Sequence, residues 1–177
     1  MTVVRPARVA DASAIGRIHV ETWRDTYAGM LPDRVLVEMS SGMEGGQWSR
    51  VLNEGRDRVV VAESDGVGIV GFGSCGKARA GALGFEGEVY TLYVLPDYQG
   101  QGIGRLLLEA LFKQLQSDGY RSALIWVLQE NPAGFFYEAM GGRPAASRTE
   151  RLWGADVAER AYGWDDLDAA VTGSVPK

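Results

Sequence analysis

The sequence predicts an α/β fold on a mixed sheet, from three observations. The chain is 46% apolar over 177 residues, and a domain of that size buries about 70% of its unfolded surface. Strand-like and helix-like apolar periods alternate along it. Their order, β-α-α-β-β-β-α-β-α-β-β, mixes hairpins with one β-α-β crossover, which excludes a doubly wound parallel sheet. One domain over residues 1–166 is expected, followed by a flexible tail over 167–177.

Each element has a local reason. Val3 to Val9 reads as a first strand, stopped by Asp11, a residue suited to capping a helix. Ile15, Ile18, Thr22 and Trp23 then share one helical face. Gly29 to Asp33 breaks that helix, and Pro32 fits the first turn of a short second one. Gly42 to Asn53 is a candidate third helix, weakened by Gly45-Gly46. Arg58 to Glu63 and Ile69 to Ser74 are strand-like, and the Asp65-Gly66 between them signals a hairpin. Gly76 to Gly87 reads as a mobile, glycine-rich connection.

A further strand begins near Val89 and runs into the turn around Gly100-Gln101-Gly102. Beyond the turn, Ile103, Leu107, Leu111 and Leu115 recur every four residues, and Gly119 closes their helix. Ser122 to Leu128 is a fifth strand, and Asn131-Pro132 starts a short helix through Met140. Ala145 to Leu152 and Val157 to Tyr162 form a last hairpin around Gly154.

Composition excludes several functions. A net charge of -5 argues against a nucleic-acid surface and against binding to anionic membranes. One cysteine, Cys75, and one histidine, His19, provide neither an internal disulfide nor a Cys/His zinc cluster, so no metal is expected. The opening M-T-V-V-R-P-A-R lacks the apolar core of a signal peptide, and no run approaches a membrane span. The expected location is the cytoplasm.

The glycine turn carries the most chemistry. A helix start with bare backbone N–H groups attracts phosphate, and no acidic side chain lies between Gln99 and Arg105. The stretch approximates G-x-G-x-x-G, but Arg105 holds the third glycine position, and no Gly-Lys-Ser/Thr marks a P-loop. From these residues alone, a nucleotide or sugar-phosphate module and a plain packing turn both stay open.

Two motifs narrow the choice. Gln99-Gly100-Gln101-Gly102-Ile103-Gly104 resembles the Q/R-x-x-G-x-G/A signature of the GNAT superfamily of N-acetyltransferases, and Tyr93 to Pro96 matches its Y-V-x-P lead-in. Downstream, Asn131 to Gly141 resembles the family's second signature, N-x-x-x-x-F-Y-x-x-x-G. The pair is far more specific than either block, and the resemblance covers nearly all of the chain.

The resemblance implies a mixed, mostly antiparallel central sheet flanked by helices, with a splayed strand pair at the cofactor site. It implies acetyl-CoA as co-substrate, its diphosphate on the turn of Gln99, Gly100, Gln101, Gly102, Ile103, Gly104 and Arg105, and its pantetheine against Leu92 and Val94. A backbone N–H near Val94 would face the thioester oxygen. Asn131 would hold pantetheine or backbone; otherwise it caps the helix before Pro132. The segment from Val20 to Pro32 resembles the acceptor-lining first helix of many bacterial members, so Trp23 and Tyr27, one helical turn apart, would wall the amine cleft.

Acetyl transfer needs a neutral amine and a protonated leaving thiolate. Presenting a lysine-like amine neutral at pH 7 costs about 4.6 kcal/mol, and an α-amine about 1.4 kcal/mol. Glu88 is the first candidate base, directly or through water, ahead of Tyr90 and Asp25; otherwise it is a solvated carboxylate at a strand end. Tyr137 matches the family tyrosine beside the sulfur and is the candidate acid; otherwise it is a packed aromatic. The expected function is direct transfer to a primary amine of a small molecule or peptide, in an enzyme that can pair as a homodimer. The rival of the same fold is an acyl-CoA sensor without turnover.

Overall fold

The computed structural model describes residues 1–172. Its strands are β1 (Thr2–Pro6), β2 (Arg58–Ser64), β3 (Gly68–Lys77), β4 (Gly87–Val94), β5 (Ala123–Leu128), β6 (Arg143–Leu152) and β7 (Ala155–Trp164). The helices are α1 (Ala12–Thr26), α2 (Asp33–Glu38), α3 (Ser41–Glu54), α4 (Ile103–Ser117), α5 (Ala133–Ala139) and α6 (Leu167–Thr172). Hydrogen bonding orders the sheet β1-β2-β3-β4-β5-β7-β6. It is mostly antiparallel; β4 and β5 are a parallel pair, in register at Gly87↔Ala123 and Glu88↔Leu124 at the start of both strands. Contacts divide the chain into two compact units, residues 1–74 with 91–111, and residues 75–90 with those from Phe112 on.

In the first unit, α1 buries Ile15 and Ile18 completely. Gly16 lets α3 approach: a Cβ there would sit 2.7 Å from Gly45 Cα and 2.9 Å from Ser41 O. Gly45, half of the pair that weakens a helix by propensity, is thus a packing contact, whereas a Cβ at Gly46 would meet nothing within 4 Å, and α3 forms. Ser40 Oγ caps it, accepting from Met43 N at 3.4 Å. On β3, a Cβ at Gly71 would meet Leu107 Cδ1 at 3.1 Å, and one at Gly73 would meet Leu111 Cδ1 at 2.7 Å. These two glycines seat the start of α4 directly on the strand. Its fully buried Leu107, Leu108 and Leu111 contribute about 1.5–3 kcal/mol each.

The second unit repeats the device at Gly87, where a Cβ would meet Leu115 Cδ2 at 3.0 Å. Phe112 packs edge-on against Trp164 at 4.9 Å. Phe85, Leu124 and Ala161 form a buried cluster, with Ala78, Ala82 and Trp126 against it.

Three expectations need correction. The first strand ends at Pro6, because a 3-10 turn covers Val9–Asp11. Asp11 does not cap α1 with its side chain; its carboxylate accepts from Arg5 Nη1 at 2.8 Å and Arg8 N at 2.7 Å. The guanidinium of Arg5 holds that carboxyl below its ordinary range. The tail expected over 167–177 begins as helix α6: Leu167 is fully buried and its N–H donates to Arg121 O at 2.9 Å. Residues 173–177 of that tail lie outside the described residues.

Candidate active site

The turn between β4 and α4 is built for main-chain recognition. A 3-10 turn at Pro96–Tyr98 ends the strand's course, and residues 99–102 lead into Ile103 at the head of α4. Gly100 and Gly102 have φ of 72° and 82°, where L side chains are strained. A Cβ at either would meet nothing within 4 Å, so the backbone face is open. The amides of Gly100 to Arg105 donate to no acceptor among the described residues. Gln99 Nε2 donates to Val94 O at 3.0 Å, and Gln101 Nε2 to Asp97 O at 3.2 Å. Both side chains therefore brace the turn, and the amides stay directed outward. Arg105 pairs with Glu109 at 3.1 Å. An open positive helix pole with no carboxylate of its own fits a diphosphate.

The strand before the turn offers a second main-chain surface. A Cβ at Gly71 would lie 3.0 Å from Tyr93 O, and one at Gly73 3.1 Å from Thr91 O, while Leu95 N donates to Val70 O at 2.9 Å. Residues 91, 93 and 95 thus turn their peptide groups to β3. By strand alternation, Leu92 and Val94 turn theirs to the opposite edge. That is the orientation an added strand-like ligand needs.

Glu88 is neither solvated nor at an open entrance. Its side chain is 2% exposed and accepts three N–H bonds from Arg79: the main-chain N at 3.1 Å, Nε at 3.1 Å and Nη2 at 2.5 Å. Arg79 is itself mostly exposed and lies 4.6 Å over the Tyr90 ring. Tyr90 donates its hydroxyl to Lys77 O. Residues 78–86 are further pinned by Ala78 N to Glu86 O at 3.0 Å and by buried Phe85. The stretch expected to be a mobile connection is thus tied to β4. Asp25 is exposed at the end of α1.

Tyr137 is buried on α5, with ring centroids at 5.3 Å from Phe136, 6.0 Å from Tyr162 and 6.2 Å from Trp164. Trp164 Nε1 donates to Met140 O at 3.0 Å, fixing α5 on β7. A side chain at Gly134 would collide with the Tyr162 hydroxyl, so glycine there permits the close approach. Asn131 Oδ1 accepts from Ala133 N at 2.9 Å, the cap-like geometry that competes with a ligand for that oxygen.

Trp23 and Tyr27 meet edge-on at 5.0 Å on α1. Trp23 is partly exposed and Tyr27 buried, and His19 joins them, 5.3 Å from Trp23 and stacked 5.7 Å from Tyr93. His19 Nδ1 accepts from Trp48 Nε1 at 3.1 Å, and Glu44 Oε2 lies 3.2 Å from the same nitrogen. The single lone pair of Nδ1 takes the indole N–H, so it is not available to a second donor at Glu44. Burial pushes the Glu44 carboxyl up and lowers the His19 imidazole to about 4.

Several groups escape sequence reasoning. Arg79 lies in a glycine-rich stretch with no periodicity, so nothing marks it as the partner of Glu88. Arg148 and Glu159 sit on hairpin strands whose register brings them opposite each other, with the Arg148 guanidinium 3.9 Å over the Trp126 ring. Only the pairing of β5, β6 and β7 assembles them. No helix among the described residues is long and apolar enough to cross a membrane.

Comparison with known proteins bears on this arrangement. Residues 55–141 match the model of the acetyltransferase (GNAT) domain. The chain is 33% identical over 172 residues to the uncharacterized N-acetyltransferase YuaI of Bacillus subtilis, covering 97% of this chain and 98% of that protein. It is 28% identical over 140 residues to the L-amino acid N-acyltransferase MnaT of Escherichia coli, covering 78% and 77% of the two. The fold is similar to the PaiA N-acetyltransferase of Thermoplasma acidophilum, solved with coenzyme A: TM-score 0.65, 20% identity, 90% of this chain and 98% of that one.

Proposed function

The chain belongs to the GNAT family of acetyltransferases, whose co-substrate is acetyl-CoA, and we propose that it transfers the acetyl group directly to a primary amine within a ternary complex. The observation that carries this reading is the turn over residues 99–105, where outward amides follow two left-handed glycines. The co-substrate supplies an acetyl group already activated as a thioester. The amides from Gly100 to Arg105 hold its diphosphate, Gln99 N being already bonded to Pro96 O at 3.2 Å. The edge of Leu92 and Val94, where Gln99 Nε2 occupies Val94 O, pairs with pantetheine through the groups that remain. Val94 N–H polarises the thioester carbonyl.

Tyr137 gives its phenolic proton to the departing sulfur as the C–S bond breaks. A thiol near 8.5 and a phenol near 10 make that transfer uphill by about 2 kcal/mol. Glu88, oriented by Arg79, receives the ammonium proton through water. Trp23 and Tyr27 wall the acceptor. An α-amine is the favoured nucleophile because its neutral form costs about 3 kcal/mol less than that of a lysine-like amine. The similarity to an L-amino acid N-acyltransferase supports the same class.

The test is thiol release from acetyl-CoA with a panel of amines. Release above background hydrolysis is expected with α-amines first. Binding of acetyl-CoA without release from any amine would leave a sensor of acyl-CoA, and absence of binding would sink the turn's role.

A further inference from the structure

Trp126 on β5 and Arg148 on β6 carry two N–H donors that nothing among the described residues accepts. The indole Nε1 and the guanidinium Nε are both buried atoms without a hydrogen-bond partner. They belong to one stacked pair, the guanidinium carbon 3.9 Å over the ring. Nε has only Glu150 Oε1 at 3.5 Å, and Nη2 only Glu159 Oε2 at 3.5 Å, both long for a hydrogen bond. Buried donors left unmatched in a native fold are few, and each calls for an acceptor.

The location and charge of the pair restrict what that acceptor is. Glu88 is in register with Leu124, and Trp126 lies two residues further along β5, so the pair shares the sheet face of Glu88. Glu159, 8% exposed, lies opposite both Leu128 and Arg148 on that face. Its two arginines are already matched, Arg79 by Glu88 and Arg148 by Glu150 and Glu159. The face has spare N–H donors and no spare positive charge. A carboxylate would enter against Glu159 and Glu150; a neutral carbonyl oxygen would not.

We propose that Trp126 Nε1 and Arg148 Nε form a subsite for the carbonyl oxygen adjacent to the acceptor amine. The acceptor class is then the α-amine of a peptide or amino-acid amide, ahead of free amino acids and of plain alkylamines. This rests on the reading of the protein as an amine acetyltransferase. A site built to donate to an oxygen discriminates strongly against an analogue that lacks it, because its donors are left unmatched.

The experiment compares alaninamide, alanine and isopropylamine as acceptors, with kcat/KM expressed per neutral amine, in the native protein and in Trp126→Phe. Alaninamide is expected to exceed isopropylamine by roughly tenfold or more, with alanine below alaninamide. In Trp126→Phe, which keeps an aromatic ring at that position and loses the N–H, the alaninamide-to-isopropylamine ratio is expected to fall toward one. Separately, the indole N–H resonance of Trp126, assigned by its loss in Trp126→Phe, should move downfield on titration with alaninamide and stay put with isopropylamine. Equal rates in the native protein, a ratio unchanged by the substitution, or a resonance that ignores alaninamide overturns the proposal. If no amine is acetylated while the resonance still responds, the transferase reading fails and the carbonyl subsite stands.

Discussion

The turn over residues 99–105 and the face around Trp126 use hydrogen-bond donors in opposite ways. The turn presents main-chain amides, so its chemistry is independent of which side chains it carries, provided that two glycines reach positive φ. The face presents side-chain donors drawn from β5 and β6, held by charge matching with Glu88, Glu150 and Glu159. Main-chain recognition suits a constant ligand such as a diphosphate. Side-chain recognition suits the part of the reaction that differs between relatives.

The largest effect is expected where the turn's backbone is changed. Gly102→Asp adds a Cβ at φ 82°, costing about 1–2 kcal/mol, and places a carboxylate against the diphosphate. Acetyl-CoA at a hundred times its Kd stabilises the native protein by about 2.7 kcal/mol; in Gly102→Asp that stabilisation should vanish. Gly102→Ala should lose only the part due to strain. Full cofactor-induced stabilisation in Gly102→Asp, read by thermal unfolding, would move the diphosphate elsewhere and break the contrast.

Next comes Tyr137→Phe, a side-chain change in a motif as legible as the turn. If Tyr137 is the general acid proposed, its loss is expected to lower kcat roughly 10²–10⁴-fold, with acetyl-CoA affinity little changed. If affinity falls and kcat holds, Tyr137 is a packing residue beside Tyr162 and Trp164, and the leaving group finds its proton elsewhere.

These results bear on what the sequence makes legible. The shape of the turn is readable because Gly100 and Gly102, which reach positive φ, lie in one short window; the role proposed for Tyr137 rests on an equally local motif. The glycines of β3 and β4 have no local signature: Gly71, Gly73 and Gly87 lie in strands and let α4 settle on the sheet. Glu88 is visible as a carboxylate, but its burial is not, because the arginine that matches it lies in an aperiodic segment. Leu167 looks like part of a tail until Arg121 O supplies its N–H with an acceptor. Long-range pairing, absent from any window of the chain, decides all of these.

A side-chain cluster should also respond to pH where a main-chain turn does not. His19 has its imidazole lowered from 6.5 to about 4 by burial. Between those values the unfolded chain binds the extra proton, so stability rises with pH across this window and is lost on acidification. The full swing is roughly 3 kcal/mol. Glu44, pushed up by burial, opposes it, since the folded state then holds the extra proton just above the ordinary carboxyl range. Denaturant melts between pH 4 and 6.5 should show the net slope, and His19→Gln should flatten it. An equal slope in His19→Gln would assign the acid sensitivity to other groups.

The smallest expected effect tests whether the turn is organised before its ligand arrives. Gln99 Nε2 reaches back to Val94 O at 3.0 Å, tying the turn to the strand edge assigned to pantetheine. This exposed bond contributes about 1 kcal/mol. Because it involves neither reacting atom, Gln99→Ala should weaken acetyl-CoA binding by less than tenfold and leave kcat at saturation unchanged. A fall in kcat with intact affinity would mean that the side chain steers the thioester itself. The division of labour between main chain and side chain would then fail at the one place where the two surfaces of β4 and the turn are joined by a glutamine.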